Sequence, residues 1–226
     1  YRESEDKYYD FTVERRKIEV PTVAYEMLED NIGYVQVTEF DEVTSDQYIA
    51  AVDDLKAQGM EGLIVDIRDN PGGLLSCVVD MLDYMLPEGT IVYTEDKNGE
   101  GDTYTSDAEH YFDLPLAVLV NGNSASASEI FSGAIQDYET GTIIGTQTFG
   151  KGIVQSILPF NDGSAIKITV SRYFTPRGTC IHGEGITPDV EVDLNEELKT
   201  KLTIEKSEDN QLQKAIENVK EQIAAE

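Results

Sequence analysis

Gly62-Leu-Ile-Val-Asp-Ile-Arg-Asp-Asn-Pro-Gly-Gly-Leu74 is the stretch from which the rest of the chain can be read. Residues 62–68 form an apolar run of the length expected for a strand buried on both faces. Asp69-Asn-Pro-Gly-Gly73 then breaks it, and Leu74, Cys77, Val78, Met81, Leu82 and Met85 recur at helical spacing behind the break. The predicted unit is strand, turn, helix. Working outward, the same order recurs on both sides. Ile32-Gly-Tyr-Val-Gln-Val-Thr-Glu-Phe40 alternates as a strand, and Thr44 opens a Thr-x-x-Gln capping pattern. Tyr48, Ile49, Val52 and Leu55 follow as a helical stripe that ends near Gly59. Further on, Leu116-Ala-Val-Leu-Val120 reads as a strand, and Ile130, Phe131, Ala134 and Ile135 as one helix face.

The remaining segments are of other kinds. Residues 142–145, 153–159 and 165–174 are β-prone, and Asn161-Asp-Gly163 marks a hairpin between the last two. Residues 1–18 end in a short β-prone run, Phe11-Thr-Val-Glu-Arg-Arg-Lys-Ile18. From about residue 196 the pattern turns helical and charged, with Leu212, Ala215, Ile216, Val219 and Ile223 as an apolar stripe for packing. Repeated strand–turn–helix order predicts an α/β core with largely parallel pairing. The expected division is a terminal strand over 1–18, a core over 19–195 and a helical segment over 196–226.

Composition narrows the function. The chain has 226 residues, enough for one substantial core, and its 40% apolar content suits a folded domain. A formal net charge of −27 argues against nucleic acid and anionic lipid, both of which attract Lys and Arg. No run approaches the roughly 18 apolar residues of a membrane span. Opening on Tyr1 without an initiator Met, the chain reads as a fragment. Cys77, in a helical pattern, and Cys180, in a loop, are too few for a disulfide framework, and no Cys/His cluster has metal spacing.

Two stretches carry chemistry. Asn121-Gly-Asn-Ser-Ala-Ser-Ala-Ser-Glu129 puts three serines where a strand turns into a helix. Ser124, Ser126 or Ser128 could each simply cap that helix. A serine there also sits in the helix N-terminal field, and an attack by Ser126 would direct the developing oxyanion toward the Ala127 N–H. Thr148-Phe-Gly-Lys-Gly-Ile-Val-Gln155 offers one lysine between glycines. To act as a base near neutral pH, Lys151 must lose its proton well below the unperturbed ~10.4, which burial would favour. Gln155 could orient the amine without adding charge. With only two histidines in the chain, a Ser-His-Asp arrangement has few ways to form.

The ordered motifs Asp66-Ile-Arg-Asp-Asn-Pro-Gly-Gly73, Asn123-Ser-Ala-Ser-Ala-Ser-Glu129, Thr148-Phe-Gly-Lys-Gly-Ile-Val-Gln155, Tyr173-Phe-Thr-Pro-Arg-Gly178 and Gly185-Ile-Thr-Pro-Asp-Val190 resemble those of the carboxyl-terminal processing (tail-specific) proteases. Asp209-Asn-Gln-Leu-Gln-Lys-Ala215 fits as well. The resemblance implies a ClpP/crotonase-like core of repeated ββα units with a β-hairpin and a C-terminal helix. It implies Ser126 as nucleophile, Lys151 as general base, Gln155 holding the lysine, and Gly72 and Ala127 N–H as the oxyanion hole. Asp137 resembles a supporting acidic position. No metal or cofactor is implied; the partners would be protein C-terminal tails, with a homo-oligomer and an extracytoplasmic location as further expectations. Family members usually carry a PDZ domain before this core, of which residues 1–18 would be a remnant. The competing expectation is a non-catalytic module on the same scaffold that binds a peptide or apolar ligand.

Overall fold

Strand β3 (Gly62–Asp66), buried along its whole length, lies inside a six-stranded sheet. The computed structural model describes residues 1–15, 20–107 and 109–225. The sheet contains β1 (Val23–Met27), β2 (Ile32–Val37), β3, β6 (Leu116–Val120), β7 (Thr142–Gly145) and β10 (Val190–Glu191), in that spatial order. All neighbours are parallel except β1 and β2. The pairs β2–β3, β3–β6 and β6–β7 are connected through helices α1 (Thr44–Ala57), α2 (Leu75–Asp83) and α3 (Ala127–Tyr138), the crossover that parallel pairing requires.

A second, antiparallel sheet runs in the order β5 (Thr103–Ser106), β4 (Gly89–Glu95), β9 (Ala165–Phe174), β8 (Ile153–Pro159). The β8–β9 hairpin matches the predicted bounds and turns at Asn161-Asp-Gly163. Two apolar clusters result. The larger, around Tyr48, Met81, Phe131 and Val118, fills the space between the main sheet and α1–α3. On the opposite face, α4 (Asn210–Ile223) packs Leu212, Ala215 and Val219 against Ile64, Ala117 and Leu119.

The structure corrects three local expectations. Residues 11–15 carry no strand, and the rest of that predicted run, residues 16–18, lies outside the described residues. Thr44 is the first helical residue of α1 rather than its cap, and Gln47 does not reach back to it. The Gln47 amide oxygen instead accepts the Thr22 and Val23 N–H groups, because an unpaired strand end lies within its reach. Residues 196–209 form turns rather than helix, and α4 starts only at Asn210, where the Asp209 carboxylate accepts the Gln211 and Leu212 N–H groups.

Candidate active site

Ser126 sits at the carboxyl edge of the main sheet, between β6 and α3. Its backbone is held at φ 57°, ψ −114°, a region that non-glycine residues rarely occupy and that costs about 1–3 kcal/mol. Such strain persists only where neighbours over-determine the turn, and here they do. Ser124 Oγ donates to Ile67 O at 2.8 Å and accepts the Asn121 N–H. Ser128 Oγ donates to Asn70 O at 2.9 Å, and Ala125 N–H donates to the same carbonyl. Two of the three candidate serines are therefore committed to structure. Ser126 closes a capping box with Glu129 but, among the described residues, its hydroxyl donates to no acceptor, so it alone of the three keeps its proton free for chemistry.

The turn that opened the sequence reading packs directly on this serine. Gly72 has φ +98°, and a Cβ there would come within 2.7 Å of Ser126 Cβ and 2.9 Å of Ala127 N, so only glycine fits. Asn70, fully buried, ties this turn to its surroundings: its amide nitrogen donates to Val37 O and its amide oxygen accepts the Gly72 N–H at 2.9 Å. Asp69 is fastened to the serine turn by the Asn121 and Asn123 amides. The expected oxyanion pair is thus half free. Ala127 N–H, at the first turn of α3, has no acceptor among the described residues, whereas Gly72 N–H is occupied by Asn70. The Asn-Pro-Gly sequence itself explains the difference, since an Asn side chain readily accepts the N–H two residues on.

The lysine loop is joined to the serine turn through a residue that the sequence reading gave no role. Glu129, fully buried on α3, accepts the Ser126 N–H (2.8 Å), Thr148 Oγ–H (2.6 Å), Gly150 N–H (2.6 Å) and Lys151 N–H (2.8 Å). One carboxylate therefore sets the register between the nucleophile and the backbone of the candidate base. The sequence held a signal in the Ser126-x-x-Glu129 spacing of a capping box. That spacing does not reveal the three further partners from a loop distant in sequence. The loop is also closed from the other side: Thr148 Oγ accepts the Ile186 N–H, Gly183 N–H donates to Gly150 O, and Phe149 N–H donates to Ser124 O.

The Lys151 side chain departs from the expectation of burial: it is exposed. Among the described residues its ammonium makes no hydrogen bond or ion pair, with Ser126 or with any other group. Gln155 lies in β8 opposite Thr169, is exposed, and does not hold the amine. The Asp137 carboxylate accepts the Arg177 N–H at 2.7 Å. The structure therefore brings together Ser126, Ala127, Gly72 and the Lys151 backbone, and leaves the Lys151 and Gln155 side chains apart from them. The described residues contain no cluster suited to a metal ion, and no described helix is long and apolar enough to cross a membrane.

These features have counterparts in known proteins. The peptidase family S41 profile matches residues 31–192. The chain is 41% identical over 184 residues to a carboxyl-terminal-processing protease of Synechocystis sp., covering 80% of this chain and 43% of the relative. It is 39% identical over 186 residues to the carboxy-terminal processing protease CtpA of Bacillus subtilis, covering 82% and 40%. Among solved structures, the photosystem II D1 C-terminal processing protease superposes with a TM-score of 0.72 at 35% identity, over 79% of this chain and 50% of that one. The chain spans less than half the length of these curated relatives. With its S41 profile match, its relatives at about 40% identity and its α/β core in agreement, this chain belongs to peptidase family S41.

Proposed function

We propose that the chain is the catalytic core of a serine endopeptidase that cleaves proteins near their C-termini through Ser126 and Lys151. The observation that carries this reading is the Ser126 hydroxyl, which donates to no described group, held in a strained turn beside a free Ala127 N–H and stapled through Glu129 to the lysine loop. In the reaction Ser126 Oγ bonds to the substrate carbonyl carbon while its proton passes to the neutral Lys151 amine. The Ala127 N–H and the positive end of α3 stabilise the oxyanion. Collapse breaks the peptide C–N bond, Lys151 returns the proton to the leaving amine, and the acyl-enzyme is hydrolysed by a water that Lys151 deprotonates.

The arrangement described here is a resting one. Because Glu129 anchors the Lys151 backbone, the remaining movement is that of one long side chain from solvent toward Ser126. Covering the site with substrate would exclude water and favour the neutral amine. Leu74 and Phe149, 42% and 65% exposed at the two turns beside Ser126, supply apolar surface for an extended peptide. The same reading puts the working protein outside the cytoplasm, acting on the tails of other proteins.

The test is labelling with a fluorophosphonate, followed by cleavage of peptides that differ only in having a free or amidated C-terminus. The expected outcome is labelling of the unaltered chain, none of Ser126→Ala, and no peptide cleavage by Lys151→Ala despite an unchanged fold. Labelling that survives Ser126→Ala, or cleavage that survives Lys151→Ala, overturns the assignment.

A further inference from the structure

The Asp209-Asn-Gln-Leu-Gln-Lys-Ala215 motif has no part in the reaction described above, yet two of its polar residues are buried: Asp209 is 6% and Gln211 3% exposed. Both grip the guanidinium of Arg68. Arg68 Nη1 donates to Asp209 Oδ1 at 3.1 Å and to Gln211 Oε1 at 3.0 Å, and Nη2 lies 2.8 Å from Asp209 Oδ2. On its other side Arg68 is held by Asp66, through Nε at 2.9 Å and Nη2 at 2.6 Å, and Tyr34 OH donates to the same carboxylate. Burial would lower the Arg68 pKa, but hydrogen bonds to Asp66 and Asp209 outweigh it and the net shift is upward, so the guanidinium keeps its charge. Gln211 also donates to Val192 O, which fixes the start of α4 against the sheet.

The position of Arg68 in the chain gives this cluster its consequence. Arg68 is the last residue before Asp69, where φ turns positive (60°), and the turn then runs through Gly72, which abuts Ser126. Downstream, that turn is held by Asn70, Phe40 N–H on Gly72 O, and the Asn121 and Asn123 amides on Asp69. Upstream, the Ile67 N–H donates to Leu119 O and Ile67 O accepts the Ser124 hydroxyl, and the Arg68 side chain adds the anchor to α4. Apolar packing of Leu212, Ala215 and Val219 would hold α4 on the sheet without any buried charge, and a buried ion pair costs desolvation that hydrophobic contacts avoid. A cluster kept in spite of that cost, at the root of a strained turn, is suited to fixing position.

We infer that Asp209 and Gln211 are positioning residues for the active site, acting through Arg68 to set where the Asp69–Gly73 turn meets Ser126. The inference rests on the peptidase reading for its functional consequence, though not for its structural one. The C-terminal helix then does two jobs: its apolar face covers the sheet, and its first turn sets the geometry beside the nucleophile. A displacement of that turn by about 1 Å is enough to slow acylation by roughly a hundred-fold.

Asp209→Asn separates capping from anchoring, because Asn caps a helix as well as Asp but cannot pair with Arg68 as a charge. Amide hydrogen exchange and the rate of Ser126 acylation by a fluorophosphonate are measured together. The expected result is exchange at Asn70 and Gly72 faster by about ten-fold or more, with exchange within α4 unchanged and acylation slowed by at least roughly ten-fold. Peptide KM is expected to move by less than about two-fold, the signature of an effect on the transition state rather than on binding. Gln211→Leu removes one acceptor from the same guanidinium and is expected to act in the same direction more weakly. Glu217→Gln, on the exposed face of α4, is the control and leaves both readouts unchanged. If Asp209→Asn leaves exchange at the 69–73 turn unaltered, or loosens that turn without slowing acylation, the positioning role is wrong. Failure of the unaltered chain to label counts against the peptidase reading alone, and exchange then decides the coupling.

Discussion

The serine turn and the lysine loop meet at one site and are built in opposite ways. Around Ser126 the polar side chains are committed, with buried Ser124, Ser128 and Asn70 and half-buried Asn121 all bonded across turns. Around Lys151 only the backbone is fixed. The hairpin that follows it exposes Ile157, Leu158, Phe160, Ile166 and Val170. On the proposed mechanism, the candidate nucleophile Ser126 and the Ala127 oxyanion donor would be set in advance by backbone geometry, which costs strain but no reorganisation during reaction. The candidate base would be delivered by a side chain whose backbone is already in register. Glu129 is where the two designs join.

That comparison breaks most severely at Glu129. Glu129→Gln keeps the shape but puts an NH2 group against N–H donors now satisfied by carboxylate oxygens, and each buried donor left unpaired costs about 1–3 kcal/mol. The expected outcome is a loss of roughly 3–5 kcal/mol in denaturant unfolding. Peptidase activity should fall by at least about a hundred-fold, because the lysine loop loses its register. Near-native stability with activity merely halved would mean that the two regions are registered by something else.

A smaller effect sharpens the other side of the comparison. Ser126→Gly removes the strain at φ 57° at the cost of glycine's extra unfolded-state entropy, so it is expected to stabilise the fold by about 1 kcal/mol while abolishing activity. Ser126→Ala is expected to abolish activity without that gain. Calorimetry on the three proteins decides it, and equal melting temperatures would show that the turn is not strained in solution. The smallest effect belongs to the hairpin. Leu158→Ser, at a site 47% exposed, is expected to change stability by no more than about 0.5 kcal/mol. A loss of several times that amount in urea unfolding would place the hairpin within the cooperative core.

Much of the fold could be read from local pattern. The strands near 32–37, 62–66 and 116–120, the β8–β9 hairpin, and helices α2 and α3 follow from continuous apolar runs, turn residues and helical spacing. Strands β1, β4 and β5 were not legible. Val23–Met27 and Thr103–Ser106 are short, polar or exposed, and become strands only because β2 and β4 offer free edges to pair with. Gln47 had the spacing of a cap and found a better use on the neighbouring strand. In the site, residue types offered three serines and Lys151, and the family resemblance singled out Ser126 and Gly72, but the role of Glu129 was hidden because three of its four partners approach from a loop remote in sequence.

By itself, then, the sequence determined the strand–turn–helix repeats and the kinds of side chain at each turn, since periodicity and turn chemistry act within a few residues. Tertiary structure alone decided which of three serines keeps its hydroxyl proton uncommitted among the described residues, that the Gly72 N–H is taken by Asn70, and that one buried carboxylate holds the serine and lysine backbones together. The physical reason is that buried polar groups are satisfied by whichever partner the packing of distant segments brings within reach.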